Sequence, residues 1–213
     1  MGDNKREKLE ELNKEIAKCK RCNLWKSRGK VVPGEGDSNA EIMLIGEAAG
    51  YHESIQGRPF VGAAGQLLTK LLQSIGIRRK EVFITNILKH RPPNNRGPLT
   101  EEIEACKIWL DKQIKVIQPK IIVTLGRFAM AKFIPDGKIT QIHGQARWVN
   151  FGNLRFVVIP MFHPAAALRN GEVMEKIKDD FQKIPKILRS LDNQTGYNSI
   201  NRSEEEADQL TLC

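Results

Sequence analysis

The chain has no long apolar segment. Its longest apolar runs, at residues 121–125 and 156–159, are far shorter than the ~20 residues that a membrane-spanning helix requires. The first residues are charged and contain no apolar core of the kind found in secretory signal peptides. The sequence therefore predicts a protein that has no membrane partner and works in the cytoplasm.

Cysteine is scarce, with four in 213 residues, and so few in an intracellular chain do not suggest a disulfide framework. Two residues separate Cys19 from Cys22, which lets both thiolates face one metal. Cys106 and His90 are the candidates for the remaining ligands. Three cysteines and one histidine suit structural zinc or an iron–sulfur cluster. The alternative is that Cys106 is simply buried in a helix and His90 lies in a solvated loop.

Negative charge is in deficit. The chain has 34 Lys and Arg against 25 Asp and Glu, which gives a net charge of +9. Such an excess favours a nucleic-acid partner, because each neutralised phosphate releases a counterion. The sequence lacks the GxxxxGK[ST] pattern of a phosphate-binding loop, which argues against a nucleotide-binding enzyme.

Short apolar segments alternate with helical ones along the chain. Strands are predicted at 41–46, 81–86, 120–125 and 156–160. This alternation predicts an α/β fold, with a mainly parallel sheet and helices on both faces. Ligands bind beyond the carboxyl ends of such strands. The residues at those ends are Glu47, Asn86, Gly126 and His163.

The sequence predicts a single domain over residues 1–190. The domain begins with an amphipathic helix, because apolar residues over 9–16 are spaced three to four apart among charged ones. Residues 191–213 are polar and have no hydrophobic period, which predicts a disordered tail. The fourth cysteine, Cys213, lies in this tail and is not expected to bind metal.

Four motifs follow one another near the predicted strand ends. They are GEAAG at 46–50, GRPFVG at 57–62, TN at 85–86 with RPPNNR at 91–96, and HPAAALR at 163–169. Together they resemble the motifs of the family 4 uracil-DNA glycosylases, the iron–sulfur branch of the uracil-DNA glycosylase superfamily. The resemblance runs from Cys19 to about residue 188. It implies a three-layer α/β/α sandwich around a four-stranded, mainly parallel sheet.

The resemblance also implies an activity, namely hydrolysis of the N-glycosidic bond of uracil in DNA, which leaves an abasic site. Water is the expected nucleophile, because no lysine is placed as an imine-forming one. The family's pocket residues fall on Glu47, Ala48, Glu53, Phe60, Asn86 and His163. Its cluster ligands fall on Cys19, Cys22, the His90 position and Cys106, which implies a 4Fe-4S cofactor, with zinc as the alternative.

The implied roles suit the side chains. Phe60 would stack on the base after it has been flipped out of the DNA, and the amide of Asn86 matches N3–H and O4 of uracil. His163 would stabilise negative charge at O2 in the transition state. Glu47 would orient the attacking water or stabilise a cationic sugar, and Glu53 would exclude the methyl group of thymine.

Contact with DNA that contains uracil is expected from the loops around the pocket. Arg91, Arg96 and Arg169 are predicted to meet phosphates, and Leu168 to enter the gap left by the flipped base. The basic run at 78–80 is expected to be a solvated turn. The protein is expected to be a monomer at the nucleoid of a prokaryotic cell.

The chain departs from the family pattern at several positions. His90 stands where the family usually has a cysteine, and Ala165 replaces a serine. Tyr51 and His52 replace an acidic pair, which widens the expected substrate range to other deaminated bases such as hypoxanthine. Related proteins that trap DNA covalently carry a basic insert after this histidine, and it is absent here, so turnover is expected. The alternative function is a non-catalytic metal-cluster module that binds nucleic acid.

Overall fold

The computed structural model describes the backbone of residues 2–26 and 29–209, and the side chains of residues 4–26 and 29–193. Its strands are β1 (Glu35–Gly36), β2 (Ile42–Gly46), β3 (Phe83–Asn86), β4 (Ile121–Leu125), β5 (Arg147–Phe151) and β6 (Leu154–Met161). They form one sheet in the order β1-β3-β2-β4-β6-β5. The sheet therefore has six strands, and the expectation of four is corrected.

The four predicted strands are the centre of this sheet. Strands β3, β2, β4 and β6 are parallel neighbours, and each overlaps a predicted segment. The two additional strands, β1 and β5, are antiparallel edges. Strand β1 has only two residues. Strand β5 has three exposed residues, and its Val149 and Phe151 are only half-buried, so neither strand carries the apolar pattern that predicts a buried strand.

Eight α-helices accompany the sheet in the described part of the chain. They are α1 (Gly2–Ala17), α2 (Tyr51–Gln56), α3 (Ala63–Ser74), α4 (Thr100–Ile117), α5 (Arg127–Ala131), α6 (Ile139–Ile142), α7 (Pro164–Ala167) and α8 (Gly171–Gln209). Short 3-10 helices occur at Asn23–Lys26, Arg79–Glu81 and Pro93–Asn95. No described helix is both long enough and apolar enough to cross a membrane.

The helices form layers on both faces of the sheet. In β2, Met43 and Ile45 pack with α1 and α4, whereas Ile42 and Leu44 pack with α3 and α8. This division follows from strand geometry, because successive side chains point to opposite faces. The α/β class and the three layers agree with the expectation.

Helix α8 continues to Gln209, well beyond the expected domain boundary at residue 190. Its side chains from residue 194 onwards lie outside the described residues, as do residues 210–213 entirely. The expectation of a disordered tail over 191–213 falls largely on these residues and stays a prediction. The same is true of the single-domain boundary at residue 190.

Candidate active site

The carboxyl ends of the central strands surround a cavity of about 400 Å³. Its lining consists of Glu47, Ala48, Ala49, Gly50, Glu53, Phe60, Ala64, Asn86, Pro92, Asn95, Arg96, His163, Ala165 and Arg169. All six residues expected to form the pocket are among them. Two of the residues predicted to bind DNA, Arg96 and Arg169, also line this cavity.

Asn86 is the last residue of β3 and lies at the base of the cavity. It is 1% exposed, and its Oδ1 has no hydrogen-bond partner among the described residues. Gly46, in the neighbouring strand, makes room for this amide, because a Cβ there would collide with Asn86 Oδ1 and lie 2.6 Å from Cζ of Phe60. A buried amide oxygen without a partner is costly, so its placement suits an acceptor that a ligand satisfies.

Phe60 forms one wall of the cavity from a strained backbone position. Its φ of 51° lies in the left-handed region, which a residue with a bulky side chain rarely adopts. The backbone of Phe60 also packs directly on α3, since a Cβ on Gly65 would come within 2.7 Å of its Cα. Tertiary contacts must therefore hold this conformation.

Glu53 and Arg79 supply two of those contacts. Oε1 of Glu53 accepts hydrogen bonds of 2.9 Å from the backbone N–H groups of Val61 and Gly62, next to the start of α3. Arg79 donates to the carbonyl oxygen of Pro59 at 2.6 Å and to the Glu35 carboxylate at 2.8 Å. The residues on both sides of Phe60 are thus anchored by charged groups. The expectation of a fully solvated turn at 78–80 is wrong for Arg79.

His163 follows β6, and its ring packs directly against the ring of Phe60 in the cavity lining. Its Nδ1 accepts a hydrogen bond of 3.1 Å from the backbone N–H of Ala165. Burial lowers the pKa of His163 to about 4, against the opposing effect of the Glu53 charge. At neutral pH the imidazole is therefore uncharged, and the bond to Nδ1 places its proton on Nε2.

Glu47 follows β2 and supplies a half-buried carboxyl group. Burial raises its pKa above the usual value of 4.5, and the positive charge of Arg127 opposes this shift. Arg127 opens α5, directly after Gly126 at the end of β4. The sequence pointed to this strand end but did not single out its arginine.

The loop with the RPPNNR motif contributes residues that the sequence reasoning missed. Asn95 lines the cavity and has a left-handed φ of 53°. Its Oδ1 accepts a hydrogen bond of 2.7 Å from Arg91 Nε, and Arg91 lies 5.2 Å above the ring of Tyr51. An asparagine is one of the few residues that tolerate such a backbone. The pair of asparagines between Pro93 and Arg96 was the available signal.

The residues predicted to bind DNA differ in whether their side chains already have partners within the protein. Arg96 forms a two-pronged ion pair with the buried carboxylate of Glu102, at 2.8 and 2.5 Å. Leu168, which directly follows α7, is 49% exposed. Roles in DNA binding stay predictions for these residues and for Arg91 and Arg169.

The three thiols expected to bind metal belong to one apolar cluster of the fold. Cys19 and Cys106 are buried in it, and Cys22 packs against it. Burial raises the pKa of Cys106 to about 11, with a smaller raising effect from the other two thiols. Two N–H groups point at sulfur: Trp109 Nε1 donates to Cys19 Sγ at 3.1 Å, and the backbone N–H of Lys89 donates to Cys106 Sγ at 3.3 Å.

His90 is 1% exposed, so its interpretation as a solvated loop residue is wrong. Over the described side chains, however, no group of three or more His, Cys, Asp or Glu is close enough to hold one metal ion. The structure thus brings the thiols into one part of the fold without forming a site for a single ion. The cofactor stays a prediction.

Comparison with known proteins places this architecture in a family. The model of the uracil DNA glycosylase superfamily matches residues 33–189. The type-4 uracil-DNA glycosylase of Sulfurisphaera tokodaii is 47% identical over 186 residues, which are 84% of this chain and 84% of that protein. The type-4 enzyme of Saccharolobus solfataricus is 45% identical over 195 residues, 87% and 90% of the two chains. That of Archaeoglobus fulgidus is 44% identical over 187 residues, 85% and 94%.

Proposed function

This chain belongs to the uracil-DNA glycosylase superfamily and to its type-4 branch, and we propose that it hydrolyses the N-glycosidic bond of uracil in DNA, leaving an abasic site for repair. One observation carries the proposal. The amide of Asn86, the ring of Phe60, the imidazole of His163 and the carboxyl group of Glu47 line a single cavity. A non-catalytic module has no need for this convergence, so the alternative is not favoured.

Base recognition rests on Asn86 and Phe60. The free Oδ1 of Asn86 accepts from N3–H of uracil, and its Nδ2 donates to O4. Cytosine presents the opposite pattern and leaves these groups unpaired, at about 1–3 kcal/mol for each. The ring of Phe60 adds stacking worth about 1–3 kcal/mol. The base reaches the cavity only after it has been flipped out of the duplex.

His163 acts on the leaving group. As the bond between C1′ and N1 breaks, its electron pair moves into the uracil ring. The neutral imidazole donates from Nε2 to O2, where negative charge develops, and this stabilises the transition state. Because the ring is already neutral and held by Ala165, the donor needs no reorientation or proton loss.

Glu47 acts on the water. The oxygen of a water molecule forms the new bond to C1′, and one of its protons passes to the Glu47 carboxylate. The same negative charge stabilises the cationic character of the sugar in the transition state. The half-buried position strengthens both effects, since water screens the charge less there.

Glu53 contributes by position. Its Oε1 is engaged with Val61 and Gly62, so the carboxylate stays fixed at the wall of the cavity. We propose that this fixed side chain, with Ala48, limits the space beside the base and excludes the methyl group of thymine. Tyr51 and His52 lie on the same helix as Glu53. Whether they allow hypoxanthine or xanthine to be accepted is tested by oligonucleotides that contain these bases.

The test is a panel of oligonucleotides with a single uracil, hypoxanthine, xanthine or mismatched thymine. Purified protein is expected to convert uracil to an abasic site, which alkali then cleaves, and to leave thymine intact. Asn86→Leu, which keeps the size but removes both hydrogen-bonding groups, is the matched negative control. Intact strands for every deaminated base would reject the enzyme proposal.

We also propose that Cys19, Cys22, Cys106 and His90 hold a 4Fe-4S cluster. The shared burial of the three cysteines and the two N–H groups directed at sulfur support this donor set. Zinc requires all its ligand atoms about 2.0–2.3 Å from one centre. Thiolates of a cluster bind different irons, so a wider spacing suits the cluster better than zinc. The cluster would tie the N-terminal segment to α4 and has no part in the reaction steps.

Metal analysis tests the cluster. The purified protein is expected to be brown and to contain about four iron and four sulfide per chain. A colourless protein with zinc alone would reject it. His90→Cys is expected to retain the cluster, and His90→Ala to lose iron. An unchanged iron content in His90→Ala would show that His90 is not a ligand.

We propose that Arg91, Arg96 and Arg169 contact phosphates, and that Leu168 fills the gap that the flipped base leaves in the duplex. We also propose that the chain works as a monomer at the nucleoid of a prokaryotic cytoplasm. The net charge of +9, the place of Arg96 and Arg169 in the cavity lining, and that of Arg91 and Leu168 on the adjoining motif loops support the contacts with DNA. Loss of the Leu168 side chain is expected to lower activity on duplex DNA more than on single-stranded DNA. The reason is that only a duplex has a gap in its base stack to fill once a base has been flipped out. Assays of Leu168→Ala on both substrates test the role of Leu168, and the mass from light scattering tests whether the protein is a monomer.

A further inference from the structure

Lys89 is a fully buried lysine with no role in the reaction described above. It is 0% exposed and lies three residues beyond Asn86. Its ammonium donates three hydrogen bonds: to Thr85 Oγ1 at 2.6 Å, to Gln113 Oε1 at 2.7 Å and to the carbonyl oxygen of Asn86 at 2.8 Å. Three acceptors saturate an ammonium group, so the geometry of this side chain is fully determined.

The acceptors of Lys89 are themselves fixed. The Thr85 hydroxyl donates onward to the carbonyl oxygen of Pro33 at 2.8 Å, and Nε2 of Gln113 donates to the same oxygen at 2.8 Å. The network therefore joins β3, α4 and the segment before β1. None of its acceptors is a carboxylate, and Lys89 has no ion pair with Asp or Glu in the described part of the chain.

The backbone N–H of Lys89 donates to the thiol of Cys106, one of the proposed metal ligands, at 3.3 Å. Burial lowers the pKa of Lys89 to about 7, and the electrostatic influence of Cys106 opposes this shift. The same residue thus contacts a proposed metal ligand with its main chain and the base-reading residue with its side chain.

We infer that Lys89 is a positioning residue that fixes Asn86 for uracil recognition and links it to the thiol cluster through Cys106. The inference rests on the proposed function. By holding the carbonyl group of Asn86, the ammonium fixes the peptide from which the amide side chain projects. Placement matters because a displacement of about 1 Å at a reacting group can cost about 100-fold in rate.

The adjacent strands offer a matched pair of substitutions. Thr85 in β3 and Thr124 in β4 both lie opposite Ile45 of β2, and both are fully buried. Thr85 accepts from Lys89, whereas Thr124 Oγ1 has no hydrogen-bond partner among the described residues. Thr85→Val and Thr124→Val therefore make the same chemical change in the same layer, and only the first touches Lys89.

The experiment measures the affinity of the whole protein for free uracil, together with kcat and KM on uracil-containing DNA. Lys89→Met, which preserves length without donors, is expected to weaken uracil binding at least tenfold and to lower kcat/KM by 10- to 100-fold. Thr85→Val is expected to lower the affinity for uracil and kcat/KM about threefold to tenfold each. Thr124→Val is expected to stay within twofold of the unsubstituted protein.

Two further measurements separate positioning from general destabilisation. Ile184→Ala creates a cavity in the helix layer on the opposite face of the sheet. It is expected to lower the midpoint of thermal unfolding without changing the affinity for uracil. Lys89→Met is also expected to lose its bound metal to a chelator several times faster, because the charge beside Cys106 is gone. This readout is independent of activity.

The outcomes are distinct. If Lys89→Met does not fold, Thr85→Val still decides the question. Wild-type uracil affinity in Thr85→Val, or an equal loss in Thr124→Val or Ile184→Ala, would overturn the inference. If the unsubstituted protein cleaves no deaminated base, the proposed function fails instead, and the chelator measurement alone reports on the link to Cys106.

Discussion

The ring of Phe60 stacks on the ring of His163, with centroids 5.6 Å apart and planes inclined by 27°. The two residues are about 100 positions apart. They meet because Phe60 lies on the segment between α2 and α3, which follows β2, and His163 follows β6, which ends at the same edge of the sheet. This contact has two consequences. It removes the imidazole from water, and it keeps the platform for the base beside the donor for O2.

Removal of the Phe60 ring is therefore expected to change the protonation of His163. In Phe60→Ala, water reaches the imidazole, so its pKa should rise from about 4 towards 6.5, and uracil should bind about 5- to 150-fold more weakly through lost stacking. Nuclear magnetic resonance titration of the ring measures the first effect. Phe162→Ala is the control, since that ring packs on His143. An unchanged pKa in Phe60→Ala would contradict the burial argument.

Asn86→Ala is expected to lower kcat/KM for uracil by about 10- to 100-fold for each lost hydrogen bond, because the cavity then contains no partner for N3–H or O4. Steady-state kinetics on a single-uracil oligonucleotide measure this. Asn150→Ala, on the exposed edge strand β5, is the control. A rate within twofold of the unsubstituted protein would remove Asn86 from base recognition.

The pH dependence follows from two shifts. Activity requires ionised Glu47 and neutral His163, and acid removes both. The pKa of Glu47 is raised above 4.5 and that of His163 is about 4, so Glu47 protonates first as the pH falls. The acid limb of kcat/KM is expected above pH 4.5. In Glu47→Gln, kcat/KM should be lower at every pH, and the acid limb of its pH profile should move down towards pH 4. If the acid limb does not move, a group other than Glu47 causes it.

Gly46→Ala is expected to close the cavity from within. The added Cβ would lie 2.6 Å from Cζ of Phe60, so the ring or β2 must move. Overpacking of this kind costs about 1–3 kcal/mol of stability. We expect kcat/KM to fall at least tenfold with it. Gly171→Ala is the control, because no other heavy atom lies within 4 Å of its Cβ position. Full activity in Gly46→Ala would mean that the pocket is more open than described.

Arg79 and Arg78 form a matched pair of neighbours. Arg79→Met loses its bonds to Glu35 and to the Pro59 carbonyl, so the strained conformation of Phe60 loses support. Stability is expected to fall by about 1–3 kcal/mol and uracil affinity several-fold. Arg78 is exposed and pairs only with Glu81 among the described residues, so Arg78→Met should change little. Thermal melts and uracil binding compare the two, and equal effects would refute the distinction.

The sequence by itself determined the central four strands, because each is a short run of apolar, often β-branched residues with a helical segment after it. It also determined which residues stand at the strand ends, and the six expected pocket residues meet in one cavity. The strands and the residues at their ends follow from local pattern and from the rule that parallel strands end at one edge. Ala48, Glu53 and Phe60 were expected in the pocket from the resemblance to the family. The edge strands β1 and β5 lacked such a pattern and were missed.

Only the tertiary structure decided which polar residues are fixed and by what. Lys89 and Arg79 look like ordinary basic residues in the sequence, yet they bond to partners 24 and 44 positions away. Trp109 reaches Cys19 across 90 positions. The physical reason is that burial and hydrogen-bond partners depend on residues brought together by packing, whereas periodicity and motif order are properties of neighbours along the chain.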